Sequence, residues 1–267
     1  MERPSWATED VDLDRASVAR VYDFFLGGSH NFAVDRDLAA QLLKLAPDAG
    51  EVMRANRAFL RRAVRFMISQ GVTQFLDIGS GIPTVGNVHE IAHKANPDTR
   101  VVYVDIDPVA VAHSRAMLEG QANVAMVRGD LRDAATILTA PEARRLIDFS
   151  QPVGLLIVSV LHFIGDEERP QESTARLRDA LPAGSFFAIS HGARAARPES
   201  AQVEQLYQRT TSQVVPRTAA EITEFFGDFE LVEPGLVFLP AWRPDSPDDV
   251  DEHPERFVNL AGVGQRP

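Results

Sequence analysis

Gln74-Phe75-Leu76-Asp77-Ile78-Gly79-Ser80-Gly81 is the stretch that decides the fold. An apolar run that stops at an acid and a Gly-x-Gly turn reads as a buried strand feeding a helix. Glycines reach backbone conformations that a Cβ forbids, and they let backbone amides come close to a ligand. A second run, Arg100-Val101-Val102-Tyr103-Val104-Asp105, ends in a carboxylate suited to the paired hydroxyls of a ribose. Strand, turn and terminal acid together describe a nucleoside-binding edge of a parallel sheet.

Outward from this stretch, strands are expected at 73–78, 100–105, 123–128, 153–159 and 184–190, with two more near 229–233 and 236–240. Helices are expected over 84–96, 108–119, 133–147, 166–181, 198–212 and 218–227. Such alternation predicts an α/β fold with a doubly wound, mostly parallel, seven-stranded Rossmann-like sheet covered on both faces. Only Pro234-Gly235 separates the last two strands, which is too short for a crossover, so they are expected to pair as an antiparallel edge hairpin. Residues 1–70 lack strand-like alternation. Helical spacing predicts helices over Ser17–Leu26, Asp35–Leu45 and Glu51–Gln70, a helical extension or lid on a domain spanning 71–267, the whole forming one compact unit.

The glycine loop discriminates among nucleoside ligands. A dinucleotide fingerprint needs a third glycine, and Pro83-Thr84 stands there instead. No Gly-Lys-Ser/Thr follows, so it is not a phosphate-binding P-loop either. What remains suits a nucleoside carrying an amino acid. Asp77 would lie near its ammonium, with the amides of Gly79, Ser80 and Gly81 lining the tail. Asp105 would take the ribose, Ile106 would pack on the base, and Asp130, next to Leu131 after the third strand, could accept from an adenine amine.

At these residues the sequence resembles the class I S-adenosylmethionine-dependent methyltransferases, and more narrowly an uncharacterised actinobacterial group among them. The group's marks are Tyr22-Asp23-Phe24-Phe25-Leu26-Gly27-Gly28, Asn31-Phe32 with Asp35-Arg36, and Asn56-Arg57. They continue in the glycine loop through Thr84, in Tyr103-Val104-Asp105-Ile106-Asp107-Pro108, and in Pro234-Gly235-Leu236-Val237. The resemblance covers nearly the whole chain. It implies S-adenosyl-L-methionine as cofactor and methyl transfer as the activity, without naming an acceptor. A non-catalytic S-adenosylmethionine-binding module, sensing the cofactor or pairing with a partner, is the alternative. A nicotinamide-dependent oxidoreductase is disfavoured by Thr84.

Methyl transfer from a sulfonium mainly requires alignment of donor and acceptor and exclusion of water. A base matters only if the acceptor must lose a proton. His162 and His191 follow the fourth and fifth strands and are the candidate bases, while Ser159 is expected to border the cofactor. Tyr22, Asp23, Gly27, Gly28, His30 and Asn31 have the composition of a lid, and Arg57 could face the methionyl carboxylate. Ser159-Val160-Leu161-His162 stands where an Asn/Asp-Pro-Pro-Tyr/Phe tetrapeptide would mark amino-group methylation on a base, which weakly favours oxygen acceptors.

His89-Glu90-Ile91-Ala92-His93 matches the zinc-protease pattern His-Glu-x-x-His. The longer pattern wants a third histidine where Thr99 stands, so no metal is expected. The net charge of −11 argues against a partner held by its phosphate backbone, although Asp245, Asp248, Asp249, Asp251, Glu252 and Glu255 concentrate part of it in one solvated segment. Zero cysteines exclude disulfides and thiolate chemistry. No apolar run approaches the ~18 residues of a membrane span, and Met1-Glu2-Arg3-Pro4-Ser5-Trp6 lacks the apolar core of a signal peptide. A cytoplasmic protein acting on a small molecule is the resulting expectation.

Overall fold

The computed structural model describes residues 11–84, 86–194 and 199–267, so Met1 to Trp6, Val85 and Pro198, on which sequence expectations fall, lie outside the described residues. Three helices come first: α1 (Val18–Phe25), α2 (Ala33–Leu45) and α3 (Ala49–Ser69). The alternating part runs β1 (Gln74–Ile78), α4 (Val88–Ala95), β2 (Arg100–Asp105), α5 (Pro108–Met117), β3 (Val124–Arg128), α6 (Ala134–Thr139) and α7 (Pro141–Leu146). It continues β4 (Gly154–Val158), α8 (Pro170–Asp179), β5 (Phe186–Gly192), α9 (Ser200–Tyr207), α10 (Ala219–Glu224), β6 (Glu230–Leu231), β7 (Val237–Phe238) and β8 (Asn259–Gln265). The helix expected over 133–147 is broken in two, since Pro141 can start a helix but cannot donate within one.

The sheet has eight strands in the order β3-β2-β1-β4-β5-β8-β6, with β7 also paired to β8. The pairs from β3 through β5 are parallel, and β8 runs antiparallel to β5 with Phe186 opposite Gln265 and Gly192 opposite Asn259. Alternate residues of the buried strands serve opposite faces. Leu76, Val102, Leu155 and Phe187 enter one core, and Phe75, Val101, Leu156 and Phe186 enter the other. On the second face α3 contributes Phe59, Ala63 and Met67, and the Phe59 ring meets Trp242 edge-on at 5.3 Å.

The expected edge hairpin is not formed. β6 and β7 each pair antiparallel with β8, Leu231 opposite Gly264 and Val237 opposite Ala261, instead of with each other. The eighth strand lacks the bulky alternation that marks a strand, for a packing reason. A Cβ at Gly264 would lie 2.9 Å from both Phe226 Cδ1 and Phe229 Cβ, so its small residues admit the neighbouring aromatic rings.

The amino-terminal helices have a core of their own, in which Val21, Phe25, Leu38 and Leu42 pack with Leu206 and Tyr207 of α9. Asp35 is its polar hub, fully buried. It accepts from Arg20 Nε at 2.9 Å and from the backbone N–H groups of Ser17 at 3.0 Å and Phe32 at 2.8 Å. Among the described residues no helix is long and apolar enough to cross a membrane.

Candidate active site

The carboxyl ends of β1 to β4 open into a cavity of about 930 Å³, roofed by residues of α1, α3, α9 and the segment after α9. Its size lies toward the top of the ~300–1,000 Å³ typical of small-molecule sites. Asp77, Gly79, Ser80, Gly81, Asp105 and Ile106 form one wall. Asp130, Leu131, Ser159, His162, Tyr22 and Arg57 also face it.

Backbone geometry at β1 explains the glycines. Gly79 and Gly81 both have φ of +70°, a region that favours glycine. A Cβ on Gly79 would come 2.3 Å from Val160 Cγ2, so the loop passes against the residue that follows Ser159. Gly79 and Ser80 donate to the Val104 carbonyl at 2.7 and 3.1 Å, and Gly81 donates to Asp105 Oδ2 at 2.7 Å. The other oxygen of Asp105 accepts from the Asp107 N–H at 2.8 Å. Ser159 itself has φ of 60°, uncommon for a residue with a Cβ, and it occurs where the chain turns at the end of β4.

Burial pushes the Asp77 carboxyl up to about 7, opposed by the Arg57 guanidinium and reinforced by Asp105. Burial likewise raises Asp105 to about 6, opposed by the Asp107 N–H that it accepts from. A wall holding both acids therefore favours a bound cation, which would restore their charged forms. Arg57 stands over the Tyr22 ring with its guanidinium carbon 5.6 Å from the centroid, and its Nε is buried without a hydrogen-bond partner. Ser80 Oγ is also buried without one. Ile106 is 52% exposed, an unusual position for an isoleucine, and offers an apolar surface at the end of β2.

These atoms can be compared with the needs of an amino-acid-bearing nucleoside. The acids meet an ammonium and a ribose diol, the orphaned donors of Arg57 and Ser80 meet a carboxylate, and Ile106 meets a flat base. The residues present fit that group. Asp130 fits less well, because Arg132 Nε donates to its Oδ1 at 2.9 Å and Nη2 to its Oδ2 at 2.6 Å, and Arg132 also reaches Glu168.

The sequence candidates do not all converge. Asn31 is absent from the cavity wall among the described residues; its Nδ2 donates to Asp23 Oδ2 at 2.9 Å and to the Gly28 carbonyl at 3.0 Å. It belongs to a closed turn in which a Cβ on Gly28 would lie 1.9 Å from Asp23 Oδ1. His191 is fully buried and also off the wall. Its Nδ1 lies 2.9 Å from the Gly192 carbonyl, which can only accept, and its Nε2 lies 3.0 Å from Arg217 Nη1, which can only donate. Both ring nitrogens are used, and burial lowers the ring to about 4. His162 does face the cavity, but its Nδ1 accepts from the Gly192 N–H at 3.2 Å, which leaves the proton on Nε2. Burial holds it neutral, with a pKa well below the ordinary value.

The zinc-like pattern is likewise taken up by the fold. His89 Nδ1 meets the Tyr103 hydroxyl at 2.7 Å, Glu90 accepts from the Asn87 N–H at 3.0 Å at the helix start, and His93 Nε2 meets the Thr99 carbonyl at 2.8 Å.

Asn56, in the sequence only a mark of the resembled group with no role of its own, and the α9 face, which the sequence did not single out, also contribute. Asn56 Oδ1 accepts from Ser190 Oγ at 2.5 Å, and its Nδ2 donates to the Tyr22 hydroxyl at 2.9 Å, which ties α3 and α1 to β5. The α9 face with Val203, Glu204 and Tyr207 closes the far side of the cavity.

A doubly wound sheet with a glycine turn and two acids at the ends of adjacent strands around one cavity defines the Rossmann-like methyltransferase class. The chain belongs to a family described as S-adenosyl methyltransferase, whose sequence model matches residues 4–267. It is similar to a "putative methyltransferase" from Thermobifida fusca YX, at 40% identity, covering 98% of this chain and 99% of that one with a TM-score of 0.92. It is also similar to a DUF574 family protein from Streptomyces avermitilis MA-4680, at 37% identity over 96% of this chain and 99% of that one, with a TM-score of 0.91. No curated protein matches the chain.

Proposed function

We propose that the protein binds S-adenosyl-L-methionine in this cavity and transfers its methyl group to a small-molecule acceptor. The observation that carries the reading is the wall shared by Asp77 and Asp105, two buried acids ending adjacent parallel strands, with the orphaned donors of Arg57 and Ser80 beside them. The bound cofactor supplies a methyl group on a sulfonium, a strong electrophile with a neutral leaving group.

The chain's own residues bind and orient. Asp105, held by the Gly81 and Asp107 amides, takes the ribose hydroxyls. Asp77 balances the cationic amino-acid end, Arg57 and Ser80 take its carboxylate, and Ile106 with Leu131 packs on the base. Asp130 serves the base edge only through the oxygen capacity that Arg132 leaves free. Tyr22 contributes its ring to the wall, since its hydroxyl already donates to the Met53 carbonyl at 3.1 Å. Ser17 Oγ donates to Asp107, which draws the start of α1 over the cavity and excludes water.

His162 acts as a hydrogen-bond donor through Nε2–H rather than as a base, because its tautomer is set by Gly192. His191 supports it from behind, ring centroids 5.3 Å apart. The amino-terminal helices serve as a fixed wall more than a mobile lid, since the Asp35 hub ties them together. Calorimetry with S-adenosylmethionine, followed by measurement of S-adenosylhomocysteine released across a metabolite panel, tests the reading. Absence of cofactor binding would sink it.

A further inference from the structure

The side of the cavity away from Asp77 and Asp105 is apolar, lined by Val18, Leu42, Met53, Phe163, Val203 and Val214. Polar residues border it, Gln208, Thr210, Ser212 and Gln213 in the segment after α9 among them, and α9 itself presents Glu204 and Tyr207. Tyr207 is 7% exposed and faces the cavity, and its hydroxyl has no hydrogen-bond partner among the described residues. The hydroxyl is not sealed off from the cavity, so a ligand there can reach it. Glu204 sits three positions earlier on the same helix face, half-buried, also lining the cavity, with neither ion pair nor side-chain hydrogen bond among the described residues.

We propose that Glu204 and Tyr207 form the acceptor subsite, and that it recognises an organic amine with an apolar body. This rests on the methyltransferase reading above and adds the class of acceptor. A neutral apolar molecule would cover the Glu204 carboxylate and the Tyr207 hydroxyl without pairing either, and that desolvation is costly. Among the described residues an anionic molecule would meet no available cation there. Of the arginines lining the cavity, Arg15 donates to the Thr210 carbonyl, Arg20 to Asp35, and Arg132 to Asp130 and Glu168. The fourth among the described residues, Arg57, stands on the cofactor side over Tyr22.

An ammonium satisfies both groups, pairing with Glu204 and donating to the Tyr207 oxygen. The rings of Phe163 and Tyr207, 5.9 Å apart, add aromatic faces that attract a cation. The aliphatic wall then takes the apolar body.

The test is calorimetry on protein loaded with S-adenosylhomocysteine at neutral pH, using three probes of one shape: naphthylmethylamine, naphthylmethanol and naphthoic acid. The amine should bind at least about tenfold more tightly than the other two. Glu204→Gln should abolish that preference and Tyr207→Phe should reduce it, with S-adenosylhomocysteine affinity in both variants reporting an intact fold. Equal binding of the three probes, binding of none, or a preference that survives Glu204→Gln overturns the proposal. Failure to load S-adenosylhomocysteine at the outset would instead count against the cofactor reading.

Discussion

The backbone N–H of Gly81 donates to Oδ2 of Asp105 at 2.7 Å, so the loop leaving β1 is clamped to the end of β2. With Oδ1 taken by the Asp107 N–H, each oxygen is fixed by one amide and retains capacity for a second donor. Pre-orientation of this kind lets a diol bind without ordering the side chain first.

Asp105→Ala should therefore weaken S-adenosylmethionine binding at least about tenfold, roughly 1.4 kcal/mol. Titration calorimetry checks it, and an unchanged affinity would remove the ribose assignment.

The raised acids give a pH dependence with a defined sign. A carboxyl held above its ordinary value, as Asp77 is at about 7 and Asp105 at about 6, binds its proton more tightly in the folded protein than in the unfolded chain. Its stabilising contribution is full below the unfolded value near 4 and is lost as pH rises through the folded one. The melting temperature of the ligand-free protein should fall between about pH 5 and about pH 8, and affinity for the cationic cofactor should rise over the same window. Asp77→Asn should flatten both curves; parallel curves for wild type and variant would locate the titration elsewhere.

The two histidines show what a sequence can and cannot disclose. By sequence both are expected to follow strands, and spacing alone makes either a base, but His191 lies within β5, opposite Leu260. What separates them is Arg217, 26 positions beyond His191, and the Gly192 amide on His162, neither of which has a local signature. The edge proposed to hold the cofactor was legible because each of its parts is local: an apolar run, an acid and a turn. The α9 face was not, since Glu204 and Tyr207 acquire meaning only when the helix packs across α1 and α2. The eighth strand was hidden by Gly262 and Gly264, whose smallness admits the side chains of Leu231, Leu236, Phe226 and Phe229.

His191→Ala should therefore act on stability before chemistry. It leaves Arg217 Nη1 without its buried ring partner, a loss of about 1–3 kcal/mol. Thermal denaturation should show a lower midpoint while S-adenosylmethionine affinity stays near wild type. A variant of normal stability that binds cofactor but does not turn over would restore His191 as a catalytic group.

Gly28→Ala tests the turn after α1. The added Cβ would lie 1.9 Å from Asp23 Oδ1, and the Asp23 carboxylate that accepts from the His30 N–H at 2.9 Å must then move. A loss of about 1–3 kcal/mol is expected, a fall of roughly 3–10 °C in melting temperature. A neutral substitution would mean that the turn opens freely, as a lid requires.

The Asp35 hub links fold and site. Its carboxylate holds Arg20, the Ser17 amide and the Phe32 amide, and Ser17 in turn reaches Asp107 on the cavity wall. Asp35→Ala leaves the Arg20 guanidinium, 2% exposed, without its counter-charge, which costs about 3–5 kcal/mol for a buried pair. Because Ser17 loses its anchor as well, cofactor affinity should drop although Asp35 does not line the cavity. Urea unfolding should show one cooperative transition at a lower midpoint, and calorimetry a weaker S-adenosylmethionine Kd. Two separate transitions in the wild-type protein would show instead that the amino-terminal helices fold as a unit apart from the sheet.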